Sequence, residues 1–176
     1  EEVIMRVLGW IGPGTWPAVV QALRQRPDAD QLHLVTVCDP DAALPPGPGS
    51  LFGRGHRPHD DDPTRVALSE QEARDLLDQA VAALGRACTA EVLTGRTERV
   101  VVEAAGHADR IVLARDGDRS RLGPHSLGRD IRFVLDHAPS TVELLWPESP
   151  PALSTIPPPP ARPGWGNSPN DPPVHT

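Results

Sequence analysis

The sequence predicts a doubly wound α/β domain, a five-stranded parallel sheet with helices on both faces. Three observations predict it. Five short runs dense in Val, Ile and Leu are separated by segments whose apolar residues recur at helical spacing. Leu32 to Val37 alternates less cleanly and is dense in β-branched and Leu residues, as expected for a parallel strand covered on both faces. The chain has 176 residues, enough for one well-buried core, whereas two independent domains would each be marginal.

Val3 to Ile11 ends at Gly12-Pro13-Gly14 and reads as a buried strand closed by a turn. Thr15 is placed to accept a backbone N–H as an N-cap, and Pro17 suits a first helical turn. Trp16, Val19, Val20 and Leu23 then mark a helix up to Arg26-Pro27. Leu32 to Val37 is the second strand and stops at Asp39-Pro40. From Asp39 to Pro63 the chain is heavy in Pro, Gly, Asp and His, too polar to pack and too long for an ordinary connection. It is assigned as a mobile insertion, about residues 40–64.

Ser69 followed by Glu72 is a capping-box pattern, in which each residue satisfies a backbone N–H of the other. Leu76, Leu77, Ala80, Val81 and Leu84 predict the apolar face of the helix it opens, ending near Arg86. Thr89 to Leu93 is a short strand. After Thr94-Gly95 a helix spans Thr97 to Ala105, with Val100, Val101 and Ala104 inward and Gly106 as its stop. Ala108 to Ala114 is the fourth strand. A helix then starts at Ser126, carries Leu127, Ile131, Val134 and Leu135 on one face, and breaks at Pro139. Thr141 to Trp146 is the last strand. The domain is therefore residues 1–147, and residues 148–176, with the Pro157-Pro158-Pro159-Pro160 run, form a Pro-rich tail without a packed fold.

Composition excludes several function classes. The formal net charge is −7, and no Arg-rich run interleaved with aromatics is present, so no nucleic-acid partner is expected. The longest apolar run, Val3 to Ile11, is broken by Arg6 and Gly9, so no membrane span is expected. Cys38 and Cys88, far apart and flanked by apolar residues, read as buried thiols of a cytoplasmic protein. The chain contains no Lys, which removes the phosphate-loop Lys and Schiff-base chemistry. A first residue Glu1 rather than Met reads as a trimmed chain or a fragment of a longer protein.

The segment from Gly95 to Leu145 resembles the universal stress protein family. A Gly-containing turn leads a short helix, and Ala108 to Ala114 (ADRIVLA), Gly128 and His137-Ala138-Pro139 occupy the family's places. The resemblance implies a five-stranded parallel sheet and a homodimer through the last strand, Thr141 to Trp146, with Val142 and Leu144 or their alternates at the interface. ATP-binding members carry a Gly, two residues, a second Gly, nine residues, then Gly-Ser or Gly-Thr. Such glycines let backbone N–H groups approach phosphates at a helix N-terminus. Counting back from Gly128, the earlier glycine positions fall on Asp118 and Arg115, and the Ser/Thr position is Arg129. The family's Asp at the end of the first strand is also missing, since that segment reads Trp10-Ile11-Gly12-Pro13-Gly14.

The motif is thus degenerate, and ordinary ATP binding is not expected. If the altered loop at 115–129 still holds a nucleotide such as ATP or AMP, Gly12, Arg115, Gly117, Gly128 and Arg129 are its candidate residues, Arg119 and Arg121 adding cations. His56, His59, Asp60, Asp61 and Asp62 offer metal-ligating atoms, but a Pro/Gly loop supplies no rigid frame and no metal is expected. His107 and His137 stand at helix ends, where capping outweighs catalysis. Ser120 and Ser126 have no paired base, and there is no nucleophile elbow. Trp10 and Trp16 read as packing, whereas Trp165 makes the tail a docking segment for a protein partner. These residues predict a binding and regulatory module without a cofactor. A phosphorylated-ligand sensor is one alternative, and a domain recruited as an enzyme or an enzyme's partner is another.

Overall fold

A computed structural model describes residues 4–40 and 68–159. The insertion after Pro40 and the tail after Pro159 lie outside the described residues, and with them His56, His59, Asp60, Asp61, Asp62 and Trp165.

Among the described residues the strands and α-helices follow in the order β1 (Arg6–Trp10), α1 (Trp16–Arg24), β2 (Gln31–Cys38), α2 (Glu70–Leu84), β3 (Thr89–Thr94), α3 (Thr97–Ala105), β4 (Arg110–Ala114), α4 (Arg129–His137) and β5 (Thr141–Leu145). The five strands form one sheet in the order β3-β2-β1-β4-β5, and every pairing is parallel. This is the doubly wound sheet the sequence predicts. The chain builds outward from β1 to β3, then crosses over to β4 and β5, so the direction of winding reverses between β1 and β4.

The period-2 alternation of the strands divides two cores. Val7, Leu32, Leu34 and Val112 point to the face covered by α1 and α2, where Val19, Leu23, Leu77 and Leu84 meet them. Leu8, Val35, Val37, Ile111 and Leu113 point to the opposite face, against Val101, Ala105, Ile131 and Val134 of α3 and α4. Both faces of the central strands β1, β2 and β4 are covered, which is why they are dense in apolar residues, while the edge strands β3 and β5 are partly exposed. Gly9 lets α1 settle on the sheet: a Cβ there would lie 2.6 Å from Leu23 Cδ1 and 3.0 Å from Leu34 Cδ2.

The Ser69–Glu72 capping box forms as predicted, and Gly85 closes α2 in the left-handed conformation at φ 66°. Two helix starts differ from expectation. Thr15 precedes α1 but its side chain caps nothing; its Oγ1 donates to Gly12 O at 3.3 Å, because the Gly12-Pro13-Gly14 turn brings that carbonyl within reach. The last helix begins at Arg129 and not Ser126, since Pro124–Ser126 is drawn into a separate 3-10 turn. Ser126 Oγ donates to Gly123 O at 2.7 Å and accepts from Arg115.

Cys38 and Cys88 are free thiols. No described helix is long and apolar enough to cross a membrane. Residues 148–159, which the sequence assigns to an unpacked tail, make specific contacts with the loop after β4. Glu148 pairs with Arg119 at 3.2 Å, and Leu122 N–H donates to Thr155 Oγ1 at 3.0 Å beside a 3-10 turn at Leu153–Thr155.

Candidate functional site

Where the winding reverses, the carboxyl ends of β1 and β4 part and leave a crevice of about 180 Å³. Its floor is the turn after β1. Ile11 N–H extends the pairing by donating to Val35 O at 2.7 Å, and Gly12 O then accepts from Trp16 N–H at 3.0 Å. Gly14, at φ 72°, takes the left-handed conformation that lets the chain reverse into α1.

Polar side chains enter from four elements. Asp39, just past β2, is 3% exposed and accepts from the backbone N–H of Thr97 at 3.3 Å, so it supplies the cap that α3 lacks locally. Thr36, near the end of β2, lines the same wall; it is 1% exposed and its Oγ1 has no hydrogen-bond partner among the described residues. Asp130, in the first turn of α4, is 9% exposed and lines the crevice with Asp116 and Arg119. Among the described lining residues three carboxylates therefore meet one guanidinium.

The loop between β4 and α4 is held by its own contacts. Gly117 N–H donates to Ser126 O at 3.0 Å and Asp118 N–H to His125 O at 2.8 Å, which zips the two arms of the loop together. A Cβ on Gly117 would stand 2.4 Å from His125 O, so only glycine fits there. Ser120 donates to Asp118 through its side chain and its backbone, and these bonds hold the Asp118 carboxyl below its ordinary range.

At the start of α4, Gly128 has no side chain with which to cap, and its N–H donates to Asp116 Oδ1 at 2.7 Å. The donor that a phosphate would use at a helix N-terminus is thus already bonded to a carboxylate from the same loop.

The five candidate residues separate. Gly12 lines the crevice, whereas Arg115, Gly117, Gly128 and Arg129 are not among its described lining residues. Arg115 turns away from it, its guanidinium 4.5 Å from the Trp146 ring centroid and bonded to Ser126 Oγ, and burial pulls its pKa down. In this structure the Arg115 guanidinium is thus engaged by a cation–π contact with Trp146, just past β5. Gly117 and Gly128 shape the loop, and Arg129 is exposed at the first position of α4. Asp39, Asp116, Asp130, Thr36 and Thr97 are the lining residues that the motif count passes over. Their common signal was position: each stands at or just past the carboxyl end of a strand or at the head of a helix.

His137 stacks on Phe133 at 3.9 Å and its Nδ1 lies 2.8 Å from Phe133 O, at the carboxyl end of α4. A wider depression of about 670 Å³ lies at the opposite edge, by the amino ends of β1, β2 and β3, and includes Cys88. Burial pushes the Cys88 thiol up, the wrong direction for a nucleophile. Ligands of doubly wound sheets sit beyond the carboxyl ends, so the crevice is the candidate site.

No family model matches the sequence, and no curated protein matches it. Solved structures match it in fold. A universal stress protein in complex with cAMP is 18% identical with a TM-score of 0.52, the match covering 83% of this chain and 100% of that one. Universal stress protein UspA from Lactobacillus plantarum is 19% identical at a TM-score of 0.51, covering 82% and 99%. The hypothetical protein MJ0577 is 13% identical at 0.55, covering 84% and 99%. At such identities the likeness is one of fold.

Proposed function

The fold is that of the universal stress proteins; from it and from the crevice, we propose that this chain is a ligand-binding regulatory module that takes a nucleoside-class ligand without a polyphosphate. One observation carries this reading: the Asp116 carboxylate bonded to Gly128 N–H at the head of α4. A polyphosphate brought there would compete with a tethered acceptor and face Asp116 and Asp130 at close range. The neighbour solved with cAMP supports the nucleotide class of ligand. The crevice volume, about 180 Å³, is below the roughly 300–1,000 Å³ of drug-sized sites, which favours a small ligand. No acid–base pair or nucleophile among the described lining residues points to turnover.

Regulation would pass through a homodimer formed on β5. Thr141 N–H donates to Asp109 O and Leu145 O accepts from Arg115 N–H. Odd-numbered residues of β5 thus bond inward, and the N–H and C=O of Val142 and Leu144 face the outer edge of the sheet. Among the described residues β5 pairs only with β4, which leaves that edge open to a second copy.

Calorimetric titration with adenosine and ATP tests the ligand, with adenosine expected to bind about tenfold or more tighter than ATP. The reverse order, or silence from both, refutes it. Light scattering at micromolar concentration tests the dimer: a mass of one 18.9 kDa chain refutes it.

A further inference from the structure

We propose that, independently of any ligand in the crevice, residues 153–159 form a docking segment for a protein partner whose groove is lined with aromatic rings and reads a polyproline II helix. Polar groups pin this part of the chain to the domain. Glu148 pairs with Arg119 at 3.2 Å, and Thr155 Oγ1 accepts from Leu122 N–H at 3.0 Å while donating to Ala152 O at 2.7 Å. The large apolar side chains stay in solvent instead, Leu153 at 79% exposed and Ile156 at 54%. Among the described residues three large hydrophobics are exposed, and these are two of them. A segment laid down to complete the core would bury such residues and leave its polar ones outside. This one does the reverse, and grouped exposed apolar side chains mark a surface that meets a partner.

Backbone geometry and composition define the partner. Leu153–Thr155 is a single 3-10 turn, closed by Ile156 N–H donating to Leu153 O at 3.1 Å, which brings Leu153 and Ile156, three apart, to one side. Ala152, at φ −63° and ψ 153°, and Ile156, at φ −70° and ψ 123°, flank the turn in extended backbone close to polyproline II. Pro157, Pro158 and Pro159 follow, all exposed. Proline offers no N–H, so a run of it cannot pair as an added strand in a partner's sheet, nor continue as the amphipathic helix an apolar groove would take. Of the common ways an unmodified internal segment is read, that leaves flat rings set against proline faces. Because proline fixes φ beforehand, little conformational freedom is lost on docking. In sequence the run continues Pro160-Ala161-Arg162, so 157–162 reads Pro, two residues, Pro, one residue, Arg. An acidic rim on the groove would meet that Arg.

Two probes titrated calorimetrically into the whole chain make the test: an SH3 domain that selects Pro-x-x-Pro-x-Arg, and a WW domain that selects proline runs. At least one is expected to bind with a Kd of about 100 µM or tighter. Pro157→Ala and Ile156→Ser should each weaken that binding about fivefold or more. Both side chains are exposed, so the thermal midpoint should stay that of the wild type. Silence from both probes overturns the proposal, and so does binding that neither substitution weakens. Light scattering and sedimentation with phosphatidylglycerol vesicles cover the other occupants of an exposed apolar segment. Self-association or vesicle binding that Leu153→Ser abolishes, with both probes silent, overturns the proposal in favour of a second copy or a lipid surface.

Discussion

Replacing Asp116 by Ala should weaken the domain and open an anion site in one step. In the wild type, Gly128 N–H donates to Asp116 Oδ1 at 2.7 Å, and no side chain of Gly128 can stand in for it. Losing an N-terminal cap costs about 1 kcal/mol, within a range of roughly 0.5–2 kcal/mol. Losing the negative charge beside the helix dipole adds about 0.3–1 kcal/mol. The sum is about 0.8–3 kcal/mol, which lowers the unfolding temperature by roughly 2–12 °C for a domain of this size. Thermal unfolding followed by circular dichroism, with and without about 50 mM phosphate, measures both effects. Phosphate should raise the midpoint of Asp116→Ala more than that of the wild type, because the vacated N–H is then filled from solution. Asp116→Asn, which keeps an acceptor and loses the charge, should fall between them. Unchanged stability in Asp116→Ala, or equal stabilisation of both proteins by phosphate, would refute the reasoning.

Three other outcomes are expected. Gly117→Ala should cost about 2–3 kcal/mol in urea unfolding, because its Cβ would meet the backbone carbonyl of His125 at 2.4 Å and backbone cannot swing aside. Gly9→Ala should cost about 1–3 kcal/mol by forcing Leu23 off the sheet, with a Cβ to Cδ1 distance of 2.6 Å to relieve. Acid should destabilise the fold through Asp109, whose carboxyl is held below its ordinary 3.8 by side-chain and backbone hydrogen bonds from Arg6. A depressed carboxylate contributes stability that is present above the unfolded value and is lost as pH falls through the folded one. Urea midpoints should therefore drop between about pH 5 and about pH 2, and Asp109→Asn should lose less over that span.

Much of the fold was legible because its signals are local. The helix Thr97–Ala105 matches its expected bounds, set by the Gly95 turn and the Gly106 stop, and the Ser69–Glu72 box needs only residues three apart. Thr15 and Ser126 went astray because each hydroxyl had a competing carbonyl three residues back, at Gly12 and Gly123. Sequence spacing does not say which acceptor wins. The site was less legible than the fold. That the Arg115 guanidinium lies over Trp146 follows from the β4 to β5 pairing, which brings the two alongside and which no short motif encodes. Asp116 belongs to no motif position. A helix opening on Gly128 needs an acceptor from somewhere, and that requirement was the available clue.

The strap formed by residues 148–159 joins two parts of the chain that the sequence keeps separate. Arg119 belongs to the crevice lining and also holds Glu148, while the backbone of Leu122 hangs on Thr155. The domain therefore has a handle. Tension on the chain beyond Thr155 is delivered to the crevice rim through one ion pair and one hydrogen bond.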